Sequence, residues 1–164
     1  MRGQRELYLL LEQLSIQFDY YEHPPVATIA DAELHWKNIG SGKCKNIFFR
    51  NHKGNRHYLV ILEHRRQLDI RDLEKRLKQG KLTFGSDRRL KAYLGVEPGS
   101  VSPFGLINDM SHHVHVFIDE KLNEYEKLAF HPNVNTATLV IKKEDLIKFI
   151  RSLGNSWEFI KMYD

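Results

Sequence analysis

The sequence predicts an α/β fold in which a mixed, mainly antiparallel sheet is surrounded by helices. Three observations carry that prediction. Apolar residues recur at helical spacing near both ends, at Leu7, Leu10, Leu11 and Leu14 and again at Leu146, Phe149, Ile150 and Leu153. Between them lie several short β-rich runs bounded by turn-forming residues. No repeat, low-complexity tract or linker divides the 164 residues, so a single domain over 1–164 is expected.

The elements follow in order. Residues 4–16 read as an amphipathic helix on the leucine spacing. Residues 18–22 read as a short strand that stops at His23-Pro24-Pro25, because proline donates no amide and drives the preceding residue out of helical geometry. Thr28 is placed to cap a helix over 29–37, with Asp31 in its first turn. The runs 46–51 and 57–63 flank His52-Lys53-Gly54-Asn55, a hairpin pattern. Helices are expected over 69–78, closed by Gly80, and over 86–94, opened by Ser86 and closed by Gly95. Strands at 104–107, 113–118, 126–130 and 136–141 complete the sheet, and a helix over 142–153 follows.

Composition narrows the function classes. Hydrophobic residues at 41% and charged residues at 28% are the mix of an ordinary globular domain rather than a disordered chain. No apolar run approaches the roughly 20 residues of a membrane span, so no membrane partner is expected. Glu6 and Glu12 break the N-terminal apolar stretch, which argues for a helix and against a signal peptide. The single cysteine, Cys44, excludes an intrachain disulfide and fits a reducing cytoplasm. The net charge of +4 permits a polyanionic partner. Lysines and arginines cluster at 43–56, at Arg65 and Arg66, and at 88–91. They are either solvated faces or a footprint for a phosphate backbone.

Four segments carry candidate chemistry. Cys44, between Lys43 and Lys45, is either an activated thiolate or a small buried apolar residue, and no local base supports the first. His112, His113 and His115 form a histidine cluster in which the last two share a strand face. It lacks a regular metal-ligand spacing, and no metal is expected. In Phe130-His131-Pro132-Asn133, the proline biases His131 towards extended backbone, which makes either a polar turn or a rigidly held histidine. The glycine- and proline-rich stretch GVEPGSVSPFGLIN, residues 95–108, is either an awkward corner or a cradle of exposed main chain.

Read together, HPPV (23–26), KCKNIFFR (43–50), TFGSDRRLKAYLGVEPGSVSPFGLIND (83–109) and FHPNVNTATLVI (130–141) resemble the YbaK/prolyl-tRNA-synthetase-associated domain family of trans-editing proteins. The resemblance covers nearly the whole chain, in order, and looks closest to free-standing deacylases of alanyl-tRNA(Pro). It implies hydrolysis of the ester that joins a mischarged amino acid to tRNA. The aminoacylated acceptor end of tRNA would be the partner, prolyl-tRNA synthetase a further one, and no cofactor is implied. Lys45, Gly99 and His131 are implied as catalytic. Pro24, Val26, Ala27, Asn46, Ser100, Val101, Ser102 and Pro103 are implied as substrate-binding. Lys45 is left with two roles, at the ester carbonyl or at a phosphate. Cys44 stands where threonine or serine is more usual, and Ala27 where a larger residue is common, which leaves cysteine or serine open as the amino acid removed. A noncatalytic module that binds tRNA or synthetase is the other class.

Overall fold

The computed structural model describes residues 1–25 and 41–162. The helix expected over 29–37, with Thr28 and Asp31, and the site candidates Val26 and Ala27 lie outside the described residues.

Helix α1 (Arg5–Gln13) buries Leu7 and Leu11, the inner stripe of its leucine pattern. Strand β1 (Asp19–Glu22) follows, then β2 (Gly42–Asn51) and β3 (His57–Glu63), which form the expected antiparallel hairpin with Arg50 opposite His57. Asn51 builds the turn: its Oδ1 accepts from the amides of Asn55 and Arg56. Helix α2 (Ile70–Leu77) is capped by Asp69, whose side chain accepts from Asp72 N. It ends at Lys78, itself left-handed at φ 55, rather than at Gly80. Helix α3 (Asp87–Leu94) is capped by Ser86 and closed by left-handed Gly95, as its sequence indicates. Strands β5 (His115–Asp119), β6 (Lys127–Phe130) and β7 (Ala137–Lys142) lead to helix α4 (Lys143–Leu153).

Among the described residues, eight strands form one mixed sheet in the order β1-β7-β6-β2-β3-β5-β8, with the short β4 (Leu82–Phe84) also on β2 and with β8 (Trp157–Ile160) at the far edge. Four of its seven pairings are antiparallel; β2–β6, β3–β5 and β5–β8 are parallel. Both faces of the centre are covered, which is why all seven residues of β3 are buried. Leu59 and Ile61 face the larger core, built with α1, α3 and α4, while Val60 and Leu62 face a smaller core roofed by Leu73 and Leu77 of α2.

Two strand expectations are corrected. Residues 104–107 are no strand: Pro103–Asn108 form a 3₁₀ helix. Pro103 occupies its first position, where a missing amide costs nothing, and Ser102 caps it by accepting from Phe104 N at 3.1 Å. Phe104 then drives into the core, edge-on to Phe130 and Phe149, so that the preceding loop is anchored by a fully buried ring. The strand expected from residue 113 begins only at His115, because Asp109 Oδ2 takes Val114 N and His112 turns left-handed. Strands β4 and β8 escape the sequence reading. One is only three residues long, and the other is a partly exposed edge without clean alternation.

Candidate active site

Strand β2 joins three ladders, and the interval between two of them makes the site. On one edge β3 pairs with it from Cys44 to Arg50. On the other edge β6 reaches only Gly42 and Lys43, and β4 only Phe49 to Asn51. The carbonyl of Phe48 accepts from Gly85 N at 2.8 Å. Cys44, Lys45, Asn46 and Ile47 therefore have no strand partner on this edge among the described residues. A cavity of about 310 Å³ opens there, and its floor is those same four residues.

Its walls come from two loops. After Ala129 and Phe130, β6 is held by β7, with Phe130 opposite Leu139, and so diverges from β2. Ala129, Phe130 and His131 form one wall. Gly99 and Val101 form the other. Gly99 has φ +90, a backbone conformation that side chains rarely adopt, and the nearest atom to an added Cβ would be Asn135 Nδ2 at 3.8 Å. Conformation rather than crowding thus calls for glycine there, and the same contact brings the two loops together. Close approach matters at Gly42 instead, where a Cβ would lie 2.6 Å from the Tyr125 ring and push β2 away from its neighbour.

His131 is fixed in one tautomer. Its Nδ1 lies 2.9 Å from the carbonyl oxygen of Ala137, which only accepts, so Nδ1 carries the proton and Nε2 the lone pair. Burial pushes its pKa below the ordinary histidine value, helped by nearby His23 and opposed by the Ala137 hydrogen bond. The ring is therefore a neutral acceptor at neutral pH. Lys45 is partly buried and donates from Nζ to the carbonyl of Arg66 at 2.8 Å. Asn46 lines the cavity, and its Oδ1, closed off from solvent, has no hydrogen-bond partner among the described residues. An oxygen buried in this way costs about 1–3 kcal/mol.

Other candidates sit behind these. Ser102 and Pro103 are buried in the 3₁₀ cap, and buried Ser100 closes a turn through its amide to the Glu97 carbonyl. All three frame the loop that presents Gly99 and Val101. Pro24 is exposed, and its carbonyl accepts from His23 Nδ1 at 2.9 Å. The buried His23, whose Nε2 lies 2.8 Å from Thr138 Oγ1 and whose ring centroid is 5.8 Å from that of His131, is the neighbour the sequence reading missed. The His-Pro-Pro signature was its only signal. Cys44 is buried, and burial, with the carboxylates of Glu63 and Asp119, pushes its thiol up and keeps it protonated. The histidine cluster splits up: His113 pairs with His57, and His115 with Ser156 and Glu158. Among the described residues no group of three metal-ligating side chains converges, and no helix is long and apolar enough to cross a membrane.

Comparison with known proteins identifies the family. A family model described as "Aminoacyl-tRNA editing domain" matches residues 23–149. The chain is 36% identical over 163 residues to the prolyl-tRNA editing protein ProX of Acetoanaerobium sticklandii, covering 99% of both chains. It is 32% identical over 154 residues to prolyl-tRNA synthetase associated domain-containing protein 1 of Mus musculus, covering 92% of this chain and 90% of that one. The solved structure of the hypothetical protein APE2540 superposes with a TM-score of 0.74 at 15% identity, covering 95% of this chain and 99% of the other, a likeness of fold.

Proposed function

This chain belongs to the aminoacyl-tRNA editing domain family, and on that premise we propose that it is a trans-editing deacylase acting on alanine mischarged to proline tRNA. The observation that carries the reading is the cavity on the unpaired edge of β2, where Lys45, Gly99 and His131 meet. The whole chain acts as one editing domain in this account.

Water attacks the carbonyl carbon of the ester, the bond to the ribose oxygen breaks, and a proton passes to that oxygen, leaving alanine and a free tRNA end. Negative charge gathers on the carbonyl oxygen in the transition state. Main-chain amides along the β2 edge and the Gly99 loop, with the Lys45 ammonium, are donors fixed in advance around that oxygen, and one such donor is typically worth about 10²–10³ in rate. The neutral Nε2 of His131 accepts from the water or from a ribose hydroxyl and holds it in line. Asn46, in the lining beside Lys45, helps to seat the aminoacyl group. Direct attack by water is favoured over an acyl-enzyme because the buried Cys44 stays a thiol.

Selection follows from size. A proline-shaped synthetase pocket rejects a smaller amino acid by only about 1–3 kcal/mol per missing methylene, so a second, smaller pocket is needed. Ile47, Val101 and Ala129 supply apolar walls for a methyl side chain. A panel of tRNAs charged with alanine, cysteine, serine and proline tests the reading under single turnover. Alanine should be released fastest and proline spared. Preferential release of cysteine or serine would reassign the substrate, and tight tRNA binding without release of any would make the chain a binding module.

A further inference from the structure

The hairpin end of the sheet carries a second cavity, of about 470 Å³, lined by none of the residues of the first. His57, on its wall, pairs with Arg50, four residues along β2 from Asn46 and so roughly 13 Å away along the strand.

The hydrogen bonds at this end run in one forced direction. Arg89 Nη1 lies 2.8 Å from His57 Nε2, and a guanidinium only donates, so Nε2 accepts and His57 keeps its proton on Nδ1. That proton points to His113 Nε2 at 2.9 Å. His113 must then carry its own proton on Nδ1, where no described residue accepts it. The ring of Tyr93, with its centroid 4.1 Å from that of His57, holds the relay in place. Asn55 is polarised in the same sense. Its Oδ1 is occupied by Asn51 Nδ2 at 2.7 Å, so its amide hydrogens remain to be offered. Arg56 is exposed and makes no described ion pair through its guanidinium, while its backbone is fixed by Asn51.

Most side-chain acceptors of this cavity are engaged, apart from the second oxygen of Glu158. Glu158 and Ser156 both bind His115, and Gln79 Oε1 takes the Tyr58 hydroxyl. What remains is a set of donors with Arg56 in the lining and Arg89 behind His57. Burial above all, then His113, Arg89 and Arg50, push His57 down to about 4, against the opposing carboxylate of Asp109.

We propose that this second cavity binds a phosphate group, held by His113 Nδ1–H, the Arg56 guanidinium and the Asn55 amide. The chemistry is shared by an RNA backbone and by a free phosphate or nucleotide, and only the choice between them rests on the deacylase reading above.

The test follows the histidine ring resonances of the full ¹⁵N-labelled chain during titration with inorganic phosphate, adenosine monophosphate and an acceptor-stem RNA hairpin. Phosphate should shift the His113 ring signals, and Arg56→Ala should weaken its binding by about tenfold without changing thermal unfolding. If Arg56→Ala weakens the hairpin equally and phosphate competes with it, the site holds RNA backbone. If only phosphate or the mononucleotide is weakened, the site takes the free anion. Unmoved His113 signals with all three ligands overturn the proposal. The two readings fail separately: a chain that binds phosphate but releases no amino acid contradicts only the deacylase, and a deacylase with unmoved His113 contradicts only this site.

Discussion

The ammonium of Lys45 donates a hydrogen bond to the carbonyl oxygen of Arg66 over 2.8 Å. A long, flexible side chain is thereby pinned to the main chain beyond β3, and two of its three N–H donors remain for a substrate. Lys45→Ala should slow single-turnover deacylation by about 10² or more with an unchanged far-ultraviolet spectrum. A rate within about threefold of wild type would remove Lys45 from the catalytic set. Lys45→Arg should recover little, because a planar fork does not fit a site built for a point donor.

In the proposed mechanism His131 is a neutral acceptor, so its rate contribution should persist while pH falls from 8 through its ordinary value of 6.5, and fade only below that. His131→Ala should lose about 10² in rate and abolish the acid limb assigned to it. A wild-type limb centred at or above 6.5 would contradict the buried, Nδ1-protonated ring.

Cys44→Ala should keep the wild-type deacylation rate to within about threefold while costing about 1 kcal/mol of stability in urea unfolding, since a buried thiol leaves a small void. Complete inactivity of a folded Cys44→Ala chain would restore a thiol nucleophile.

His57 gives the fold an acid weakness. The unfolded chain takes up this proton near pH 6.5, but the folded chain only near pH 4. Between those values the unfolded state binds the extra proton, so stability falls as pH falls, by up to roughly 3 kcal/mol. Urea midpoints for wild type and His57→Gln at pH 7 and pH 4.5 measure it. The variant should lose clearly less on acidification, and equal losses would show that His57 is not the group responsible.

Much of this was legible in the chain. Ser86 and Gly95 mark α3 by side-chain cap and left-handed closure, and both signals are local. The leucine stripe of α1 and the hairpin around Gly54 are legible for the same reason. The resemblance motifs put Lys45, Asn46, Gly99, Val101 and His131 on one list, and one cavity gathers those five. What stayed hidden depends on distant pairing. Nothing near Cys44 announces that β6 leaves β2 after Lys43, or that β4 arrives at Phe49. Phe104 to Ile107 is apolar enough for a strand, and only the proline–serine cap before it decides for a 3₁₀ turn. The basic run at 43–56 reads as one patch, yet the length of β2 sends Lys45 to one cavity and Arg56 to the other.

In the proposed function the open edge of β2, between the Gly99 loop and His131, receives the aminoacyl end of tRNA. Crystals soaked with a nonhydrolysable alanyl-adenosine mimic test it most directly. The alanyl group should lie against Ile47, Val101 and Ala129, with its carbonyl oxygen within hydrogen-bonding distance of main-chain amides or Lys45 Nζ and the ribose beside His131. Density for the mimic anywhere else on the molecule would contradict it.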